Sequence, residues 1–148
     1  MEMTAIRVGN AIVSIVPRLA RHITNRLEDG TPPLSIQQLY VLQRIAGGTT
    51  RSTALARRAR VTGATMSKIL DRLVAAEMVA REPDPTDRRA SIVTLTFYGA
   101  ELLRERSLKL QNDLESLFVD VSDAERDAIA HACAVIETAL DRRIEALV

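Results

Sequence analysis

The sequence has no tryptophan, two tyrosines and two phenylalanines, too few rings to form a stacking platform for single-stranded nucleic acid. Cys133 is the single cysteine. A disulfide framework within the chain is therefore excluded, and a reducing, cytoplasmic compartment is expected. No apolar run reaches about 18 residues, so no membrane span is expected. The N-terminus lacks the basic-then-apolar pattern of a signal peptide. His22 and His131 are far apart, and no cluster of acids or cysteine marks either, which speaks against a metal site. No Ser/His/Asp, Cys/His or paired-carboxylate arrangement stands out, and no glycine-rich phosphate loop is present. An enzyme is not expected, and no cofactor is implied.

What is present is a mostly helical pattern. Hydrophobic residues make up 47% of the 148 positions, enough for a core, and the net charge is +1. That charge is uneven. Residues 51–90 hold nine Lys/Arg and five acids, whereas the remainder holds 11 Lys/Arg and 14 acids. A basic segment on a slightly acidic body suits contact with a phosphate backbone.

Residues 4–28 read as a helix through Val8, Ile12, Val16, Leu19 and Ile23, with Pro17 expected to kink or divide it. Ser35 and Gln38 form a capping box that opens the next helix, which stops at Gly47-Gly48. Residues 51–59 make a short helix with Leu55, Ala56 and Ala59 inside. Thr62 caps a further helix that runs to about Ala76. Met78–Glu82 and Ser91–Leu95 read as strands around a polar turn that begins Pro83-Asp84-Pro85. A helix near Gly99 carries Leu103, Leu110, Leu114 and Leu117. Ser122 and Glu125 cap a last helix, whose seam is Ile129, Cys133, Ile136, Leu140, Ile144 and Leu147. Cys133 is expected to be buried there as a small hydrophobe. Seams at both ends of the chain suggest an isologous dimer. The fold class expected is mainly α with a small β-hairpin wing: a winged helix-turn-helix lobe at 35–96, and a helical dimerisation region at 1–30 and 99–148.

On a wheel of about 100° per residue, Met66, Ile69, Leu70 and Leu73 share one arc, and Ala64, Thr65, Lys68 and Arg72 lie opposite. The polar face fits a major groove, with small side chains letting the backbone approach. An ordinary amphipathic helix fits that wheel equally well. The hairpin discriminates, because Arg88 and Arg89 lie near its tip, where an arginine can enter a minor groove. Asp84 and Asp87 are near enough in sequence to orient that guanidinium.

Taken together, Leu55-Ala56, Val61-Thr62, Leu73, the run Asp84-Pro85-Thr86-Asp87-Arg88-Arg89, and Leu95-Thr96 followed by Gly99 resemble the MarR family of bacterial winged helix-turn-helix regulators. The resemblance implies an obligate homodimer joined by its first, fifth and sixth helices, each lobe reading half of a palindromic operator in double-stranded DNA. It implies that Thr62, Thr65 and Lys68 face the major groove and that Arg89 is the wing arginine. A small amphipathic or aromatic effector that releases a repressor from DNA is also implied. The DNA-binding set is thus Thr62, Ala64, Thr65, Ser67, Lys68, Arg72, Arg88 and Arg89. Arg18, His22 and Tyr40 are expected to border the effector pocket. Glu77 and Arg60 depart from the family pattern, which often has glycine at both positions. The alternative from another class is a winged-helix scaffold that binds a protein partner without reading DNA.

Overall fold

A computed structural model describes residues 2–145, with side-chain surroundings described for 7–143. The elements run α1 (Glu2–Glu28), α2 (Ile36–Ala46), α3 (Ser52–Ala59), α4 (Gly63–Ala75), β1 (Val79–Pro83), β2 (Ser91–Leu95), α5 (Phe97–Ser116) and α6 (Asp123–Glu145). This is the mainly α, winged architecture expected.

The local signals act as their chemistry requires. Ser35 and Gln38 form the reciprocal capping box, Thr62 Oγ1 accepts from the Thr65 amide at 3.1 Å, and Ser122 and Glu125 bond reciprocally at the start of α6. Pro17 does not divide α1, which is continuous through it. Proline removes one donor, and the turns on both sides still propagate.

The core lies in the lobe formed by α2, α3, α4, the hairpin and the first half of α5. Met66, Ile69, Leu70 and Leu73 are all buried, against Leu42, Leu55, Met78 and Val93. Leu27, absent from the expected seam of α1, and Leu34 are 2% and 1% exposed and close the core from the α1–α2 side. The hairpin is antiparallel, pairing Val79 with Leu95 and Pro83 with Ser91. The linker before α3 adds a short third edge, through an Arg51–Ile92 bridge and a 2.8 Å bond from the Val93 amide to the Thr50 carbonyl.

Helix α4 ends in a Schellman-type turn, in which the Met78 amide reaches the Leu73 carbonyl at 2.9 Å. Glu77 takes the left-handed conformation this turn needs, at φ 57°, and Arg60 does the same after α3 at φ 54°. Both departures from glycine therefore keep the usual backbone path, at the expense of Cβ strain. Next, Thr96 Oγ1 donates to the Glu77 carbonyl at 2.6 Å and accepts from the Gly99 amide at 2.9 Å. A Cβ on Gly99 would lie 1.9 Å from the Met78 carbonyl oxygen. The Leu-Thr-x-x-Gly signal is thus the chemistry that lets α5 start against the end of α4.

The long helices behave differently. On α1, Val8, Val13, Ile15, Val16 and Leu19 are exposed, and so are Leu108 on α5, Leu117 directly after it, and Ile129, Val135, Ile136 and Leu140 on α6. Cys133 is exposed as well, not buried, because the face of α6 that carries it borders an open cavity and does not pack on the lobe. Leu147 and the side chain of Ile144 lie outside the described residues.

Candidate nucleic-acid interface

The first turn of α4 carries Thr62, Ala64 and Thr65 in exposed positions, followed one and two turns on by exposed Lys68 and Arg72. The two threonine hydroxyls lie 2.9 Å apart, which fixes their rotamers at the helix start. The amides of this turn and the helix dipole present positive potential outward. Ser67 is half-buried, with its Oγ 3.3 Å from Arg81 Nη1. It faces the hairpin as much as the outside, unlike its neighbours.

Arg88 and Arg89 are exposed at the wing tip. The expected pairing of Asp84 or Asp87 with an arginine of the tip is not what the structure has. Asp87 Oδ1 accepts from the Arg89 backbone amide at 2.9 Å, an Asx turn that shapes the loop and leaves the guanidinium outward. Asp84 is buried and grips the loop from inside, with Oδ1 accepting from the Thr86 amide at 2.8 Å and the Thr86 hydroxyl at 2.7 Å. Arg51 completes the clamp. Its Nη2 donates to Thr86 Oγ1 at 2.9 Å, and its Nε stands 2.9 Å from Asp84 Oδ2, off the axis of a directed hydrogen bond. The Thr86 bonds, with the Arg51 charge, hold the Asp84 carboxyl below its ordinary value. The two acids thus orient the wing backbone, because Arg51 approaches Asp84 from 33 residues away and takes the ion-pair role.

Arg81 ties the wing to α4, with Nε on Ser91 Oγ at 2.8 Å and Nη1 on Asp71 Oδ1 at 3.0 Å. Asp71 and Asp84 are therefore neutralised within the lobe. Lys68, Arg72, Arg88 and Arg89 make no ion pair among the described residues. Helix α4 and the wing tip consequently present unneutralised cations held on a rigid frame.

Of the three residues expected around an effector, Tyr40 lines a cavity. A largely apolar cavity of about 670 Å³ opens between α2, the α3–α4 turn and α6, lined by Ile36, Tyr40, Val61, Ile69, Ile136 and Leu140 among others. The Tyr40 hydroxyl donates to the Arg58 carbonyl at 3.1 Å, and the Arg44 guanidinium lies 5.2 Å from its ring centre. Arg18 is exposed on α1 and does not line this cavity. His22 is held at 2.6 Å by Asp113 of α5, so it links helices and does not border the cavity. The cavity lies between α2 and α6, not between the first two helices.

A profile of the MarR family matches residues 29–90. Over 136 residues the chain is 30% identical to the HTH-type transcriptional regulator ML2140 of Mycobacterium leprae, covering 91% of this chain and 94% of that protein. The chain belongs to the MarR family. As a MarR-family protein it is a winged helix-turn-helix, DNA-binding transcription regulator. Solved structures agree with that placement. MarR itself superposes with a TM-score of 0.76 at 28% identity, over 90% of this chain and 97% of that one. A mutant MarR from E. coli complexed with operator DNA shares the fold, with a TM-score of 0.69 at 23% identity, over 90% and 95%. Among the described residues no helix is long and apolar enough to cross a membrane.

Proposed function

We propose that this MarR-family regulator is a homodimer whose two winged lobes read the halves of a palindromic operator, and that it represses until a small amphipathic or aromatic ligand releases it. The observation that carries the DNA reading is the unneutralised cation set, Lys68 and Arg72 on α4 with Arg88 and Arg89 on a wing clamped from beneath by Asp84 and Arg51. Thr62, Ala64, Thr65 and Lys68 meet base edges in the major groove, Ser67 and Arg72 approach phosphate, and Arg89 enters the minor groove beside Arg88. The exposed apolar residues of α1, α5 and α6 support the dimer, since a monomer seldom leaves such a surface open. The residues 1–30 and 99–148 then form the dimerisation region, with 35–96 as the reading lobe. The two recognition helices would stand about 34 Å apart on DNA. The cavity beneath α6 supports an effector site that includes Tyr40. A ligand there would favour a lobe spacing that misses successive grooves.

Fluorescence anisotropy with the protein's own upstream DNA tests this reading. Binding should weaken steeply as salt rises. Arg89→Ala should lose about 1–3 kcal/mol of binding while the chain stays folded. Operator affinity unchanged in that variant contradicts the wing assignment, and DNA binding absent under every salt condition favours the protein-scaffold alternative.

A further inference from the structure

Arg106 is a buried cation without a counter-ion among the described residues. It lies on the inner face of α5 with 7% of its surface exposed. Its Nη2 donates to the Pro32 carbonyl at 3.2 Å, but its Nε is buried with no hydrogen-bond partner. Among the described residues no carboxylate stands within ion-pair distance of it. A guanidinium does not lose its proton, so the charge persists and its removal from water is unfavourable unless an anion approaches. Gly30 makes the space for it, since a Cβ there would fall 1.2 Å from Nη1.

The same side chain lines a cleft of about 490 Å³ between the end of α1 and the middle of α5, together with Arg26, Gly30, Lys109 and Asn112. The carboxylates of the lining, Asp29 and Asp113, offset only part of the charge of Arg26, Arg106 and Lys109. Asp113 is already taken, with Oδ1 2.7 Å from Arg26 Nη2 and Oδ2 2.6 Å from His22 Nε2. Asp29 is exposed and makes no ion pair among the described residues. Arg106 and Lys109 are left without an ion-pair partner among the described residues, with Asp29 opposing them in part, Asn112 as a neutral donor and Leu27 and Leu110 as an apolar floor.

We propose that this cleft binds a small oxyanion, with Arg106 as its fixed fork and Lys109 and Asn112 closing over it. A guanidinium fork matches the paired oxygens of a carboxylate or a phosphate. The cleft shares no lining residue with the cavity beneath α6. The bound anion would join the turn at 30–32, which leads into α2, to α5, and so stiffen the joint between the long helices and the winged lobe.

Thermal melts and titration calorimetry of the intact protein test this, with sodium phosphate and sodium acetate each compared with sodium chloride at equal ionic strength. The expected result is a saturable rise in melting temperature with at least one of the two anions and none with chloride. A response to phosphate alone identifies phosphate chemistry, and a response to acetate alone identifies a carboxylate ligand. Lys109→Ala, a surface change that leaves the Arg106–Pro32 bond in place, should weaken the titrated affinity about tenfold. Asp29→Asn should strengthen it. No saturable response beyond chloride overturns the proposal, as does an affinity that Lys109→Ala leaves unchanged.

Discussion

Leu70 and Leu140 are the same residue on amphipathic helices of one chain, yet Leu70 is 0% exposed and Leu140 is 59% exposed. Leu70 sits in a lobe whose elements follow one another closely and fold back on a shared core. Leu140 sits on α6, where it borders the open cavity facing α2 and does not pack into the lobe core. An apolar stripe specifies that a helix wants a partner, but not where the partner comes from. In the lobe the partner is the next element. On the long helices we attribute it to a second copy.

Paired truncations should separate the two regions most strongly. Leu70→Ala is expected to destabilise the lobe by about 2–5 kcal/mol at every protein concentration. Leu140→Ala should leave the lobe's stability at high protein concentration nearly unchanged and increase the dependence of urea midpoints on concentration. Equal, concentration-independent losses from both would break the comparison.

A smaller effect concerns the wing. Asp84 is held below its ordinary value of 3.8 by its bonds to Thr86 and by the Arg51 charge. A carboxyl lowered on folding contributes stability that is complete above the ordinary value and lost as pH falls through the lowered one. The Thr86 amide resonance should therefore stay constant at neutral pH and titrate in acid with a midpoint below 3.8. Asp84→Asn should abolish that titration. A midpoint above the ordinary carboxylate value would contradict the clamp.

The smallest expected effect is a gain. Glu77 holds a left-handed backbone at φ 57°. Glu77→Gly relieves about 1–2 kcal/mol of Cβ strain but frees the unfolded chain by about 0.5–1 kcal/mol. A net stabilisation of about 0.5–1 kcal/mol should raise the urea midpoint without moving DNA affinity. A lowered midpoint would show that the Glu77 side chain contributes contacts of its own.

These differences also mark how far the sequence was legible. Caps such as Ser35, Thr62 and Ser122 act within three residues of themselves, so their chemistry is visible in a short window. The burial of Met66, Ile69, Leu70 and Leu73 follows from helical period alone. The clamp on the wing was not legible, because Arg51 meets Asp84 and Thr86 only once α3 and the hairpin are folded together. Asp84 suggested an ion pair by its type, and the nearby arginines were its closest candidates in sequence. Long-range geometry also moved the cavity. His22 reaches Asp113 across 91 residues, and α6 comes to lie over Tyr40. Neither follows from local pattern. Arg106 gave no signal at all, since a single arginine on an amphipathic helix reads as solvated surface until its burial is seen.

Sedimentation equilibrium of the intact chain at micromolar concentration tests the central claim most directly. If the apolar faces of α1, α5 and α6 close against a second copy, the measured mass should be that of two chains, and Leu140→Glu should shift it toward one. A wild-type mass of one chain of 16.3 kDa across the whole concentration range would contradict it.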